Sequence, residues 1–369
     1  MFIRNLLLLM LFATQAPAAE LRDQILSIRS LGMGGVYGPV VRDSEALFFN
    51  PAALGKVDGL NFQIAELGLG VNGLEAYEDI EKIQNYQDVS DLEQFMGRKY
   101  WIGINGKTSF VMPYFGVGLY DSGYMSFMLN NPILPEFQAE FVKDVGTIVG
   151  GAIKMGSSSY FGMSLKQIQR TGGAKTVGAT TLADTDRIKA LADEFQDKGV
   201  GYGVDLALVH DIPVPLNPSL SVVWQDVGST AFRKTAGTVG PSRVQDNLSI
   251  GLGTEVDLPG LDWTTGIEYR HSNNNDHDVG KKIHLGTEIS LPLINLRAGV
   301  NQGYATYGAG IDFLFIELDA AYYDVELGEY AGDTRQNRIM VGLNISLSFD
   351  ANFNYHGSDG KRRKLKQRR

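Results

Sequence analysis

Cysteine is absent from the 369 residues, so the chain can build neither a disulfide nor a thiolate metal site. Past residue 19, no apolar run approaches the roughly 18 residues of a membrane-spanning helix. The sequence has no Gly-x-Ser-x-Gly elbow, no phosphate-binding glycine loop, and no nucleophile set beside a base in a recognisable pattern, so no enzyme activity is expected. Histidine is scarce, at five residues, and only "HSNNNDHD" brings two of them close. There His271, Asp276, His277 and Asp278 have the chemistry of a divalent-cation site. Asn, Asp and Ser clusters are also ordinary turn material, and the reading adopted is a solvated loop, with no metal and no cofactor.

Glycine, in contrast, is abundant at 44 residues, and tyrosine and phenylalanine number 16 and 18. The first 19 residues have the layout of a secretory signal peptide. Arg4 precedes a short apolar run from Leu6 to Ala13, and Ala16, Pro17 and Ala18 precede cleavage after Ala18 or Ala19. The run is too short for a spanning helix, so an uncleaved anchor is disfavoured and export is expected.

The remainder alternates with period two. In "RIMVGLNISLSF" the residues Ile339, Val341, Leu343, Ile345, Leu347 and Phe349 fall on one face, and Gly342, Asn344, Ser346 and Ser348 on the other. "KIHLGTEISL", "DNLSIGLGTEVD" and "LDWTTGIEYRH" repeat the pattern. A soluble sandwich would turn the apolar faces together; a membrane barrel would turn them to lipid. Strands near the ~9–11 residues that cross a bilayer, aromatics such as Trp263, Tyr269, Tyr304 and Tyr322 near strand ends, and alternating short and long connections favour the barrel. The fold class expected is all-β, a transmembrane antiparallel β-barrel of about 14 strands. The strands are placed at 60–71, 108–120, 122–131, 145–155, 158–170, 199–209, 218–227, 246–257, 261–271, 281–291, 293–301, 304–312, 314–326 and 338–349. The stretch 135–144 reads either as a further strand or as outer loop, and 171–199, 227–246, 272–281 and 327–337 as longer outer loops. Residues 75–96 and 184–199 read as outer helices, the second ended by Gly199.

Alternation assigns inward side chains: Asp205, Glu255, Asp262, Glu268, Arg270, Lys282, His284, Glu288, Arg297, Asp312, Glu317 and Asp319. Mixed signs in a narrow lumen point to ion pairs across the wall, because an unpaired charge away from water is costly.

Ahead of the first strand, "RSLGMGGVYGPVVRDSEALFFNPAAL" crowds Gly32, Gly34, Gly35 and Gly38 into a short span. Such residues permit positive φ and close backbone approach, which suits a compact plug against a lumen wall. Asp43 is placed to cap a short helix over "EALFF". Asn50 caps a second one opened by Pro51, and Pro51 keeps the two from merging.

"LGMGGVYGPVVRDSEALFFNPAAL" resembles the N-terminal signature of the FadL/PorV-type outer-membrane barrels, including the TraF-like conjugation-associated group. The match falls on Gly32, Met33, Gly34, Gly35, Asp43, Ala46, Leu47, Phe48, Asn50, Pro51 and Ala52. "LNNPILPEFQAEFVKDVG" (129–146) and "GMSLKQIQRTG" (162–172) are similar to the TraF-like group. The resemblance implies a fourteen-stranded barrel whose N-terminal segment enters the lumen. Some members carry hydrophobic compounds across the outer membrane; others serve protein secretion. Ala53 stands where the FadL-type signature has glycine, a departure that bears on transport more than on fold.

The last nine residues, 361–369, carry seven basic side chains, and without them the formal charge falls from −9 to −16. A block of this kind reads as a disordered periplasmic tail. The division expected is therefore signal peptide 1–19, plug-like segment 20–56, barrel 57–349 and tail 350–369. The function expected is passive transport of small hydrophobic solutes across the outer membrane. The alternative is a structural, secretion- or conjugation-associated barrel that binds a secreted or cell-surface protein through its outer loops. Outer-membrane lipid is the expected surrounding, and nucleic acid is disfavoured by export.

Overall fold

The computed structural model describes residues 20–72, 95–130, 136–178, 195, 197–349 and 355–356. The expected signal peptide, nearly all of both expected outer helices, and the basic tail beyond 356 lie outside them.

Strands β1 (Leu60–Val71), β2 (Lys99–Met112), β3 (Phe115–Asn130), β4 (Glu136–Met155), β5 (Ser159–Gly178), β6 (Lys198–Asp211) and β7 (Ser219–Gln225) follow one another around the wall. A short β8 (Phe232–Ala236) comes next in the chain. After it come β9 (Asn247–Leu258), β10 (Leu261–Tyr269), β11 (Ile283–Ser290), β12 (Ile294–Asn301), β13 (Tyr304–Phe313), β14 (Ile316–Glu326) and β15 (Arg335–Phe349). All neighbours are antiparallel, and β15 pairs with β1 from Leu60↔Phe349 to Val71↔Ile339, closing a transmembrane barrel of 14 strands. Pairing of β15 with β1 removes the two end edges of the sheet, which is what lets the strands cross a bilayer.

The faces follow the alternation. Leu67, Leu69, Ile104, Leu165, Ile267 and Val341 are exposed on the outer face, while Lys107, Asp205, Glu268 and Arg297 are buried inside. A wall with hydrocarbon-like side chains outward and charges inward is the membrane arrangement, the inverse of a soluble sandwich.

Several strand limits differ from the sequence expectation. Pro113 and Tyr114 (φ 69°) form a two-residue turn, so the expected strand 108–120 is split between β2 and β3, and 122–131 is the upper part of β3. Pro113 carries no N–H for a ladder, which is the reason the strand cannot run through it. Residues 136–144 are neither a separate strand nor a loop; they continue β4 and pair along β3 and β5. Lys198 and Gly199 already belong to β6, so the expected helix cannot extend to Gly199. The expected loop 227–246 contains β8, which pairs with the upper end of β6. At the other rim, Tyr355–His356 (β16) pairs with Ser348 and Phe349, so the segment after β15 is not wholly detached.

Candidate functional site

Residues 20–56 lie inside the barrel. A short helix α1 (Ile28–Gly32) is followed by Gly34 (φ 68°) and Gly35 (φ 86°), whose left-handed backbone turns the chain along the wall. A second helix α2 (Ala46–Phe49) and a 3₁₀ helix (Pro51–Lys56) complete the segment. Asn50 is fully buried and joins the parts. Its Oδ1 accepts from Ala52 N at 3.1 Å, capping the 3₁₀ helix, and its Nδ2 donates to Gly38 O at 2.6 Å. Asp43 does not sit at the cap position of α2; it accepts from Glu45 N at 2.9 Å, one turn earlier, and takes an ion pair from Arg29 at 3.1 Å. Burial pushes its carboxyl up, against the pull of Arg29.

The wall is shaped for this segment. Gly253, Gly266, Gly286 and Gly299 lie opposite one another on β9 to β12, forming a row across four adjacent strands. The segment runs along that row. A methyl group added at Gly286 would fall 2.1 Å from Met33 O, at Gly299 2.5 Å from Gly34 N, and at Gly253 2.5 Å from Val40. Gly32 meets Gly308 of β13 backbone to backbone. His284 donates to Gly34 O at 2.8 Å, and Glu268 accepts from the N–H groups of Tyr37 and Gly38 at 2.7 and 3.1 Å.

Ion pairs pin the segment on the remaining sides. Arg29 reaches Glu288 at 2.8 Å, and Glu288 is shared with Arg297 at 2.6 Å, which in turn pairs with Asp319 and lies 3.5 Å from Glu317. Lys107 bridges Glu45 of the segment (2.5 Å) and Glu66 of the wall (3.0 Å). Asp23 pairs with Arg270, Lys56 with Asp211, and Glu20 lies 2.6 Å from Arg338. Burial would raise the Asp23 carboxyl, but Arg270 outweighs it and holds it below the usual range.

Asp205, Glu268, His284, Glu288, Arg297, Asp312 and Glu317 are buried, while Asp319, Asp262 and Glu255 are half-buried, with Glu255 3.7 Å from Arg42. Arg270 and Lys282 are buried but sit just beyond β10 and just before β11. The alternation did not reveal Lys107, nor Lys166, which joins Asp205 (2.8 Å) and Asp226 (2.7 Å). Both stand at inward positions of their strands, a signal available once β2 and β5 are given correct registers.

Between this segment and the long-loop end lies a cavity of about 740 Å³. Ile25, Leu26, Leu31, Phe48 and Phe49 supply apolar surface, and Asp144–Arg170, Asp226–Lys166 and Asp23–Arg270 supply paired charge. His271 is buried at its edge. Burial, then the Arg270 charge, lowers its pKa to about 4, so the ring is neutral at pH 7. His277 stays half-exposed, and Asp278 accepts from Gly280 N at 2.9 Å as the cap of a 3₁₀ turn, so this stretch is built as a loop. Among the described residues, no three His, Asp or Glu converge to hold a metal ion.

The cavity reaches Ser242–Asn247, where the wall is interrupted. β6 pairs with β7 through Leu206–Asp211 and with β8 through Lys198–Gly201. Asp226, Gly228 and Ser229 between them have positive φ and break the strand. β9 pairs with β7 but not with β8; the single bridge Thr230↔Val244 spans the gap.

One Ser–His contact was not foreseen. Ser159 and His210, opposite each other on β5 and β6, are hydrogen-bonded at 2.8 Å. Among the described residues no carboxylate orients the ring, so the pair is a cross-strand contact and not a nucleophile–base–acid arrangement.

No family model and no curated protein matches the chain. Solved structures do. The CymD monoaromatic hydrocarbon channel is 11% identical, with a TM-score of 0.52 over 88% of this chain and 98% of its own. The Pseudomonas putida toluene transporter TodX is 14% identical, with a TM-score of 0.51 over 89% and 99%. A Pseudomonas aeruginosa FadL homologue is 13% identical, with a TM-score of 0.40 over 89% and 98%. The fourteen-stranded wall enclosing an N-terminal segment is the fold that the chain shares with CymD and TodX.

Proposed function

We propose that the chain is an outer-membrane channel for passive passage of small hydrophobic solutes, with residues 20–56 as its plug. The observation that carries this reading is the 740 Å³ cavity, whose apolar surface of Ile25, Leu26, Leu31, Phe48 and Phe49 ends beside the interruption between β8 and β9. A concave space of this size is the general form of a small-molecule site, and here the apolar patch shares the lining with charged groups such as Asp23, Asp144, Lys166, Arg170 and Arg270. The broken ladder offers a sideways path that avoids the charged network beneath the plug. The names of TodX and CymD, a toluene transporter and a monoaromatic hydrocarbon channel, agree with a solute of this kind.

The test is uptake of labelled toluene by intact cells expressing the protein. The intact chain should raise uptake over vector-only cells, and Phe48→Asp should remove the gain. Equal uptake in all three would sink the reading. The ion pairs that hold the plug on several sides favour the rival, a closed barrel that serves a protein partner through its outer loops. That rival predicts no uptake but a partner lost on loop deletion.

A further inference from the structure

One ion pair stands on the outer face of the wall. Asp121 of β3 is in step with the exposed Val117, Leu119 and Met125, and Lys143 of β4 with the exposed Val145 and Val149. Their head groups are 3.0 Å apart, and their side chains are 43% and 39% exposed. The pair does not mark the end of the apolar band. On β3, Leu119 lies to one side of Asp121 and Met125 to the other. On β2, Gly106 is opposite Asp121, and the exposed Ile104 and Ile102 continue beyond it.

The polar surface extends onto the next strands. Gln169 of β5 is opposite Val145, and Gln167 is opposite Thr147; both are exposed, and among the described residues neither side chain makes a hydrogen bond. Tyr202 of β6, opposite Gln167, is 73% exposed. By contrast, the exposed outward residues of β1 are Phe62, Ile64, Leu67, Leu69 and Val71, all apolar. Hydrocarbon solvates neither a charge pair nor a bare carboxamide, so polar groups at this position call for a polar neighbour.

The chemistry of the patch selects that neighbour. Lys143 is neutralised by Asp121, so the pair presents no uncompensated cation to a lipid phosphate. Both signs in one place make the surface self-complementary, as the contact of two identical subunits requires. Barrels inserted in one direction are related by an axis along the membrane normal. A two-fold axis of that kind preserves height and exchanges left with right. It therefore brings each member of a side-by-side pair onto the opposite charge of the second copy. Carboxamides, which both donate and accept, can meet their own kind.

We propose that the outer face of β3 to β6 is the interface of a two-fold dimer of this chain in the membrane. Asp121 and Lys143 of the two copies form a four-charge cluster shielded from lipid, and Gln167 and Gln169 hydrogen-bond across the contact. The inference is independent of whether the barrel transports anything.

The chain has no cysteine, so an introduced one reacts alone. Val145 lies between Asp121 and Gln169 on the outer face, beside the proposed axis. In outer membranes of cells expressing full-length Val145→Cys, a short bis-maleimide should join two copies. Leu296→Cys, comparably exposed on β12 across the barrel, reports random collision and should give little product. Adding Asp121→Leu and Lys143→Leu to Val145→Cys removes the pair without leaving a lone charge in lipid. The yield should fall about tenfold, the effect of losing two interchain polar contacts of ordinary strength in a membrane. Gln167→Leu with Gln169→Leu takes the place of that variant should it not assemble. The purified Val145→Cys protein should still cross-link in phosphatidylcholine vesicles. A heat-modifiable barrel whose Val145→Cys yield equals that of Leu296→Cys, or is unchanged by the leucine substitutions, overturns the proposal. So does a product of other than doubled mass, which would make a foreign protein the occupant, or a yield lost in the vesicles, which would make it a lipid of the native membrane.

Discussion

Replacing Gly286 by Ala adds one methyl group to the wall at the point where the plug passes. That carbon would lie 2.1 Å from Met33 O, where ordinary contacts begin near 3.4 Å, so the plug must retreat by more than an ångström. The obstruction is backbone and cannot swing aside. Retreat by that amount stretches the 2.8 Å contacts of Arg29 with Glu288 and of His284 with Gly34 O beyond hydrogen-bond range. Overpacking of this kind costs about 1–3 kcal/mol, a roughly 5- to 150-fold rise in the fraction of barrels with the plug displaced. The readout is maleimide labelling of Ser30→Cys, a near-isosteric change on α1 at a residue 1% exposed. Labelling should be slow in that variant and accelerate by the stated factor when Gly286→Ala is added. Gly106→Ala, whose new methyl would have no neighbour nearer than 3.8 Å, is the control and should leave the rate unchanged. Equal rates in the two double variants would refute the argument that the glycine row exists to seat the plug.

Deleting residues 29–54 should leave a heat-modifiable barrel and raise its conductance in a planar bilayer; unchanged, near-zero conductance would mean that the wall closes itself. Val341→Arg, on the lipid face, should cost about 2–4 kcal/mol and lower the assembled fraction on semi-native gels, whereas Ser346→Arg, on the lumen face, should be tolerated better. Lys107→Met leaves Glu45 and Glu66 buried without their cation and should destabilise the plugged state by about 3–5 kcal/mol, read as faster Ser30→Cys labelling. His271 has its pKa lowered to about 4, so an unfolded chain binds the extra proton first as pH falls. Stability linked to this ring is intact above about pH 6.5 and declines toward pH 4, by a total of order 3 kcal/mol. In His271→Gln the urea midpoint should vary less over that interval, and an identical slope would remove this histidine from the account.

The sequence displayed the barrel because period-two alternation is a local property, visible within any ten residues of β11 or β15. Inward charges were legible on the same ground. Their partners were not: Lys107 meets Glu45 across 62 positions and Arg29 meets Glu288 across 259, distances that only closure of the sheet resolves. Strand limits failed where a run stayed apolar through a turn. "FVMPYFGVG" reads as one strand unless Pro113 is given the weight its missing N–H demands. The break at Asp226–Ser229 was readable only as a strand end, since nothing local shows that β8 resumes on the same neighbour. The glycines of 32–38 suggested close approach, but their counterparts on β9 to β12 come from strands more than 200 residues later.

That separation has a consequence for assembly. The plug is the first described segment of the chain, yet Gly32 rests against Gly308 and Gly34 against Gly299, so its seat does not exist until β12 and β13 are in place. Contacts closing loops of this length form late, after local pairing has been gained. At the row, each of β9 to β12 presents no side chain of its own to fill the space, and glycine is a poor strand former. The arrival of the plug therefore supplies the packing that this quarter of the wall lacks, and the last contacts to form in the molecule are the ones that stiffen β9 to β12.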